Sequence, residues 1–251
     1  MTTLLHTEWL KLRATRLPWL LLIIPLFVVA YGAANVITSS GRDAQHSENM
    51  AAAGAHVGLV SVFPLVLGII AMTSEYRHRT IADTYLSTPR RSHALLAKLG
   101  FYAAVGAGFA IVAAVVDLVT ITVTLNARGY SFHIWNSSLW LTLLGSFLWC
   151  AMFGAIGVAA GALIRNVYIA IIGTLVFLYL IEGAIAQTAT GFSHWLPFAA
   201  GQSLAHQPET DGLPPWVAGL LLAAYTVALC ALTVVICSRR DLASGARRNM
   251  A

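Results

Sequence analysis

The sequence predicts an all-α membrane protein, six transmembrane helices preceded by an amphipathic interfacial amino-terminal helix, and three observations carry that prediction. Of the 251 residues, 58% are hydrophobic and only 10% are charged, where soluble domains carry roughly 25% charged residues. Mean hydropathy is correspondingly high, at +0.76. Apolar runs recur at lengths near the ~20 residues that a helix needs to cross a hydrocarbon core about 30 Å thick, and basic residues gather at the ends of those runs. Residues 1–251 therefore read as one transmembrane domain, and a water-soluble fold is excluded.

The first element covers residues 3–16. Leu5, Trp9 and Leu12 share a helical face at i, i+4 and i+7, with Glu8, Lys11 and Arg13 pointing elsewhere. That pattern predicts a helix lying in the membrane surface with Trp9 at headgroup depth. Pro18 opens span 1, residues 18–38, where its missing N–H costs nothing. Pro25 predicts a kink in span 1, as does Pro64 in span 2, residues 55–73. Span 3 covers residues 92–125, with Ser92 as its N-cap. At 1.5 Å per residue it is about 50 Å long, more than the membrane needs, so its first turns project beyond the bilayer. Spans 4, 5 and 6 occupy residues 139–164, 167–187 and 215–237. Phe192, His194, Trp195 and Phe198, between the last two, read either as an outer aromatic belt or as a lid.

Orientation follows from the basic residues. Lys11, Arg13, Arg16, Arg77, Arg79, Arg90, Arg91, Lys98, Arg165, Arg239, Arg240, Arg247 and Arg248 fall on one side, and only Arg42 and Arg128 on the other. The positive-inside rule then puts both termini in the cytoplasm.

Several chemistries are excluded by pattern. Cys150, Cys230 and Cys237 lie in apolar segments without CxxC spacing, and the histidines show no H-E-x-x-H pattern, so no metal site is expected. A phosphate-binding loop needs Gly-x-x-x-x-Gly-Lys-Ser/Thr. The two lysines, Lys11 and Lys98, follow Leu10 and Ala97. The chain is therefore expected not to be an enzyme.

The most informative stretch is Ser74 to Lys98, which carries five of the fifteen Lys and Arg residues: Arg77, Arg79, Arg90, Arg91 and Lys98. Glu75 to Thr88 fits a short helix in which Ile81 with Tyr85, and Ala82 with Leu86, form an apolar ridge, and Arg79 pairs with Asp83 at i, i+4. Pro89 disfavours helical angles at Thr88 and stops it. Either this element docks on a cytoplasmic partner or it is a solvated positive-inside loop.

Glu75-Tyr76-Arg77-His78 with Thr80, then Leu86-Ser87-Thr88-Pro89-Arg90-Arg91 and Lys98, resembles the loop between spans 2 and 3 of ATP-binding-cassette type-2 permeases. In that family Glu-Tyr-Arg-His-Gly-Thr is common, and Arg79 stands where the family has Gly. Glu8 to Arg13, Trp195-Leu196-Pro197 with Ala200-Gly201-Gln202, and Arg239-Arg240-Asp241 agree with it as well.

The resemblance implies a permease subunit of a bacterial plasma-membrane exporter for a hydrophobic or amphipathic compound such as a drug, an antibiotic or a lipid-like molecule. ATP and Mg would sit on a separate ATPase subunit, and a second permease subunit would complete a homo- or heterodimer. The loop would be the coupling helix, with Glu75, Tyr76, Arg77, Arg79, Thr80, Asp83 and Tyr85 as contacts. Pro89 and Arg90 would set its angle to span 3.

Two acids fall within spans, Asp117 in span 3, with Thr120 and Thr124 on its face, and Glu182 in span 5. Intramembrane acids are functional candidates. They read either as part of a polar exit path, or as proton carriers of a secondary transporter, or as groups that pair locally. Gly154, Gly157 and Gly161 in span 4 permit close helix packing, within the chain or at a dimer seam. A non-transporting immunity or scaffold protein is a further alternative.

Overall fold

The computed structural model describes residues 2–77, 91–130, 136–188, 190–205 and 212–248. Helix α1 (Thr2–Ala14) leads into α2 (Leu17–Ser39), which is span 1. Span 2, Ser47–Arg77, is built from α3 (Ser47–Gly54), α4 (His56–Leu59) and α5 (Val62–Arg77). Then come α6 (Arg91–Ala127), α7 (Ser137–Ile164) and α8 (Val167–Thr188), which are spans 3 to 5. Short helices α9 (Thr190–Ser193) and α10 (Pro197–Leu204) precede α11 (Pro215–Arg248), which carries span 6. Six helices are long and apolar enough to cross a membrane, and no strand occurs among the described residues.

Pro64 lies near the middle of span 2, at a break between two of its helices. It lies in the first turn of α5, and the irregular stretch precedes it. The N–H groups of Val60, Ser61 and Phe63 bond to the carbonyls of Val57, Gly58 and Val60 at 3.2, 3.0 and 2.9 Å. Proline lacks the N–H that would reach the Val60 carbonyl, and its ring crowds that carbonyl, so the preceding turn tightens to i→i+3 bonds. Pro25, by contrast, sits inside an unbroken α2.

Span 4 is the centre of the bundle. Along α7, Gly154 faces the Tyr102 carbonyl of α6, while Gly157 and Gly161 face the Leu65 and Ile69 carbonyls of α5. A Cβ at these positions would meet backbone, so the three glycines set how closely spans 2, 3 and 4 pack. Asn136 and Asn166 cap α7 and α8, each accepting two backbone N–H groups through its side-chain oxygen. The α9–α10 segment folds back onto the bundle. Gly145 of α7 meets the Leu204 carbonyl, and Gly201 of α10 meets the Trp149 ring. Phe198 is buried there against Trp149 and Tyr179, with ring centroids 5.3 and 5.1 Å apart. It therefore belongs to the core, unlike Phe192 and Trp195, which are exposed.

Spans 1, 5 and 6 turn large apolar side chains outward, among them Phe27, Tyr31, Leu180, Trp216 and Val227. For a membrane protein this is the surface that lipid or a neighbouring subunit covers.

Candidate functional site

Where α1, the end of α5 and the start of α6 converge, four charged side chains close a ring. Lys98 Nζ donates to Glu8 Oε2 and to Glu75 Oε1, both at 2.8 Å. Lys11 Nζ donates to Glu75 Oε1 at 2.7 Å and to Glu8 Oε1 at 2.9 Å. Glu8, Glu75 and Lys98 are each less than a tenth exposed, and the Lys98 ammonium also lies 5.8 Å from the centre of the Tyr102 ring. Two cations and two carboxylates cancel, so burial leaves no net charge. Half-burial works against the Lys11 ammonium, and its hydrogen bonds and charge interactions with Glu75 and Glu8 outweigh it, holding its pKa above the ordinary value.

This ring corrects the expected geometry of α1. Leu5 and Trp9 do face outward, but Glu8 points into the bundle, while Leu12 packs against the core. Glu75, expected among the partner contacts, is turned inward and used within the chain. The signal was present in the sequence: Lys98 lies on one face with Leu95 and Tyr102, at i−3 and i+4, a spacing that marks a buried stripe.

Next to the ring, Tyr76 and Arg77 line a cleft of about 450 Å³ with Thr73, Ser74, Arg165 and Tyr168. The Arg165 guanidinium lies 4.8 Å from the Tyr76 ring centre. Arg79, Thr80, Asp83, Tyr85, Pro89 and Arg90 lie outside the described residues.

The two intramembrane acids are not brought together. Both oxygens of Asp117 are buried without a hydrogen-bond partner among the described residues. Thr120 and Thr124 donate instead to the Val116 and Thr120 carbonyls of their own helix, at 2.8 and 2.7 Å. Glu182 has a structural task. Its Oε2 accepts the Phe198 N–H at 3.0 Å and the Ala199 N–H at 3.4 Å. These are the second and third residues of α10, so Glu182 supplies the cap that Leu196, the N-cap residue, does not. A π-helical turn, Val176–Ile181, immediately precedes it.

A separate cavity of about 240 Å³ lies between spans 2, 4, 5 and 6, with Leu65, Phe153, Phe177, Leu178 and Leu229 in its walls and Thr174 and Tyr225 as its hydroxyls. Neither acid lines it.

A six-span, all-helical bundle with a buried ion-pair ring at one end and a half-open apolar cavity between spans 2, 4, 5 and 6 defines a multi-pass membrane protein. Residues 4–182 match the family model described as ABC-2 family transporter protein, and the chain belongs to that family, a membrane transport component. No match was found among curated proteins.

Proposed function

We propose that this chain is the permease subunit of an ATP-driven exporter, that residues 75–90 receive the push of a separate ATPase subunit that binds ATP and Mg, and that both termini face the cytoplasm of a bacterial cell. The observation that carries this reading is the ion-pair ring. Glu75 is the first residue of the loop and Lys98 comes shortly after it, and Glu8 and Lys11 join both to α1. A displacement of the loop then moves spans 2 and 3 and α1 as one body, the connection that a population shift between inward- and outward-facing states requires. The apolar cavity between spans 2, 4, 5 and 6 supports a hydrophobic or amphipathic solute, and the exposed faces of spans 1, 5 and 6 leave room for a second permease subunit.

The test is purification of the tagged chain from its native membrane. The expected result is an ATP-hydrolysing subunit that copurifies with the wild type and is lost from Tyr85→Ala and Arg79→Glu variants that still fold. Solute transport by vesicles that contain this chain and no ATPase would overturn the reading. One observation favours a second reading, a proton-coupled transporter: the Asp117 carboxyl is buried with no partner among the described residues. Transport that needs a proton gradient and stops in Asp117→Asn would select it. Glu182 is better accounted for as the cap of α10.

A further inference from the structure

We propose that the cleft between Arg77 and Arg165 binds the phosphate of an anionic phospholipid from the leaflet at the amino-terminal end of the bundle, with the lipid's first acyl carbons against Ile70 and Val167. The site needs no ATPase and goes beyond the permease reading.

Charge is the first argument. Among the described residues, the cleft is lined by two guanidinium groups and by no carboxylate. Glu75, the neighbour of Tyr76 in sequence, is turned away and held by Lys11 and Lys98. The described walls of the cleft therefore carry a positive charge that they do not themselves cancel. Arginine suits phosphate because its planar fork can donate two parallel hydrogen bonds.

Backbone conformation is the second argument. Arg165 has φ 59°, the one positive φ at a non-glycine among the described residues. It ends α7, with its N–H bonded to the Gly161 carbonyl, a position where glycine or asparagine is usual. An arginine held in left-handed geometry there puts its guanidinium over Tyr76, beside Arg77. Strain of this kind concentrates where a side chain is needed in one place.

Depth and polarity point to a lipid rather than a free anion. Arg77 ends span 2, and Arg165 follows the last residue of span 4, so both lie at the level of headgroups. Ile70 is seven residues further into span 2, about 10 Å at 1.5 Å per residue, and it also lines the cleft, so its apolar side chain lies deeper in the membrane than the two arginines. A polar rim above an apolar floor matches a phosphate that carries acyl chains. Tyr168, on the same rim, is exposed, as are Ile169 and Ile172 along the outer face of α8. The mouth is thus continuous with a surface that lipid covers.

The test uses the full chain in phosphatidylcholine vesicles. Tyr168→Trp puts an indole on the rim, and the probes are brominated phosphatidylglycerol and brominated phosphatidylcholine at the same low mole fraction. The chain has seven tryptophans of its own, so the readout is the quenching that Tyr168→Trp shows beyond the parent chain. The expected result is that this difference responds to the brominated phosphatidylglycerol with an apparent affinity roughly tenfold or more above that of the choline lipid, as two arginines at a membrane surface should give. Adding Arg77→Gln and Arg165→Gln should remove the preference, and soluble glycerol phosphate should not displace the lipid. Equal quenching by both lipids, or a preference that survives the double substitution, would overturn the proposal. Displacement by glycerol phosphate would assign the cleft to a free anion and overturn it equally. Should Tyr168→Trp fail to fold, native mass spectrometry of the wild type and of Arg77→Gln/Arg165→Gln decides the matter. Retained phosphatidylglycerol in the first and not in the second supports the site, and equal retention overturns it.

Discussion

At the end of the bundle that carries the amino terminus, Glu8, Glu75 and Lys98 are buried and every one of them is paired. Toward the middle and the opposite side, the polar side chains of Ser61, Asp117, Thr142, Ser146, Trp149 and Ser203 are buried with at least one atom lacking a partner among the described residues. Glu182 is buried there too, and it is satisfied by backbone N–H groups rather than by a cation. Unpaired buried polar groups are costly, so the two regions carry different burdens. The first behaves as a closed joint. The second keeps buried polar groups whose bonding capacity is unmet among the described residues.

The largest effect that tests this contrast belongs to Lys98. Lys98→Met leaves two buried carboxylates sharing the half-exposed Lys11, and removing one partner of a buried pair costs roughly 3–5 kcal/mol. A steep fall in the thermal unfolding midpoint in detergent is expected. Lys98→Met combined with Glu8→Gln and Glu75→Gln should recover most of it, because the one charge then left unpaired, the Lys11 ammonium, is half exposed and can be solvated. If the triple variant is no better than the single one, the ring is not held by charge balance.

Glu182→Ala comes next. It leaves the Phe198 and Ala199 N–H groups without their acceptor, at about 1–3 kcal/mol. Glu182→Gln keeps an acceptor oxygen and should lose much less. Because Phe198 packs on Trp149, a change in tryptophan emission should accompany the loss in the alanine variant alone. Asp117→Leu should shift stability by no more than about 1 kcal/mol, or raise it, since it removes a group with nothing to lose. A larger loss would mean that the carboxyl has a partner and that the contrast between the regions fails.

How much of this was legible follows from range. Spans of about 20 apolar residues register in hydropathy alone, so all six were readable. The shortened turns before Pro64 follow from the chemistry of one residue. The ion-pair ring was harder to see. Glu8 and Lys98 are 90 positions apart, and charges at the ends of apolar runs read first as topology signals rather than as contacts. Glu182 read either as a transport residue or as a group that pairs locally, and its partners could not be named because they belong to α10, which nothing local announces as folding back to meet it. Arg165 gave no glycine to mark its left-handed turn. Asp117 was identified as an intramembrane acid from composition, yet only the packed bundle shows that Thr120 and Thr124 bond to their own helix.

Lys11 carries the smallest effect and the sharpest distinction within the ring. It makes the same number of ion pairs as Lys98, but its side chain is 48% exposed, against 7% for Lys98. Water therefore screens it, and a pair of this kind is worth about 0–1 kcal/mol. Lys11→Met should lower stability by less than Lys98→Met does, because the cation that remains, Lys98, is the buried one and still bonds both carboxylates. The pH dependence carries the same information. The Lys11 pKa is raised, so its contribution is fully present below the ordinary lysine value and is lost only as pH rises through the raised one. The wild type and Lys11→Met should differ by a constant amount from about pH 6 to pH 9 and converge only in strong alkali. A loss in Lys11→Met as large as that in Lys98→Met would show that exposure does not divide the two lysines and that the ring acts as a single unit.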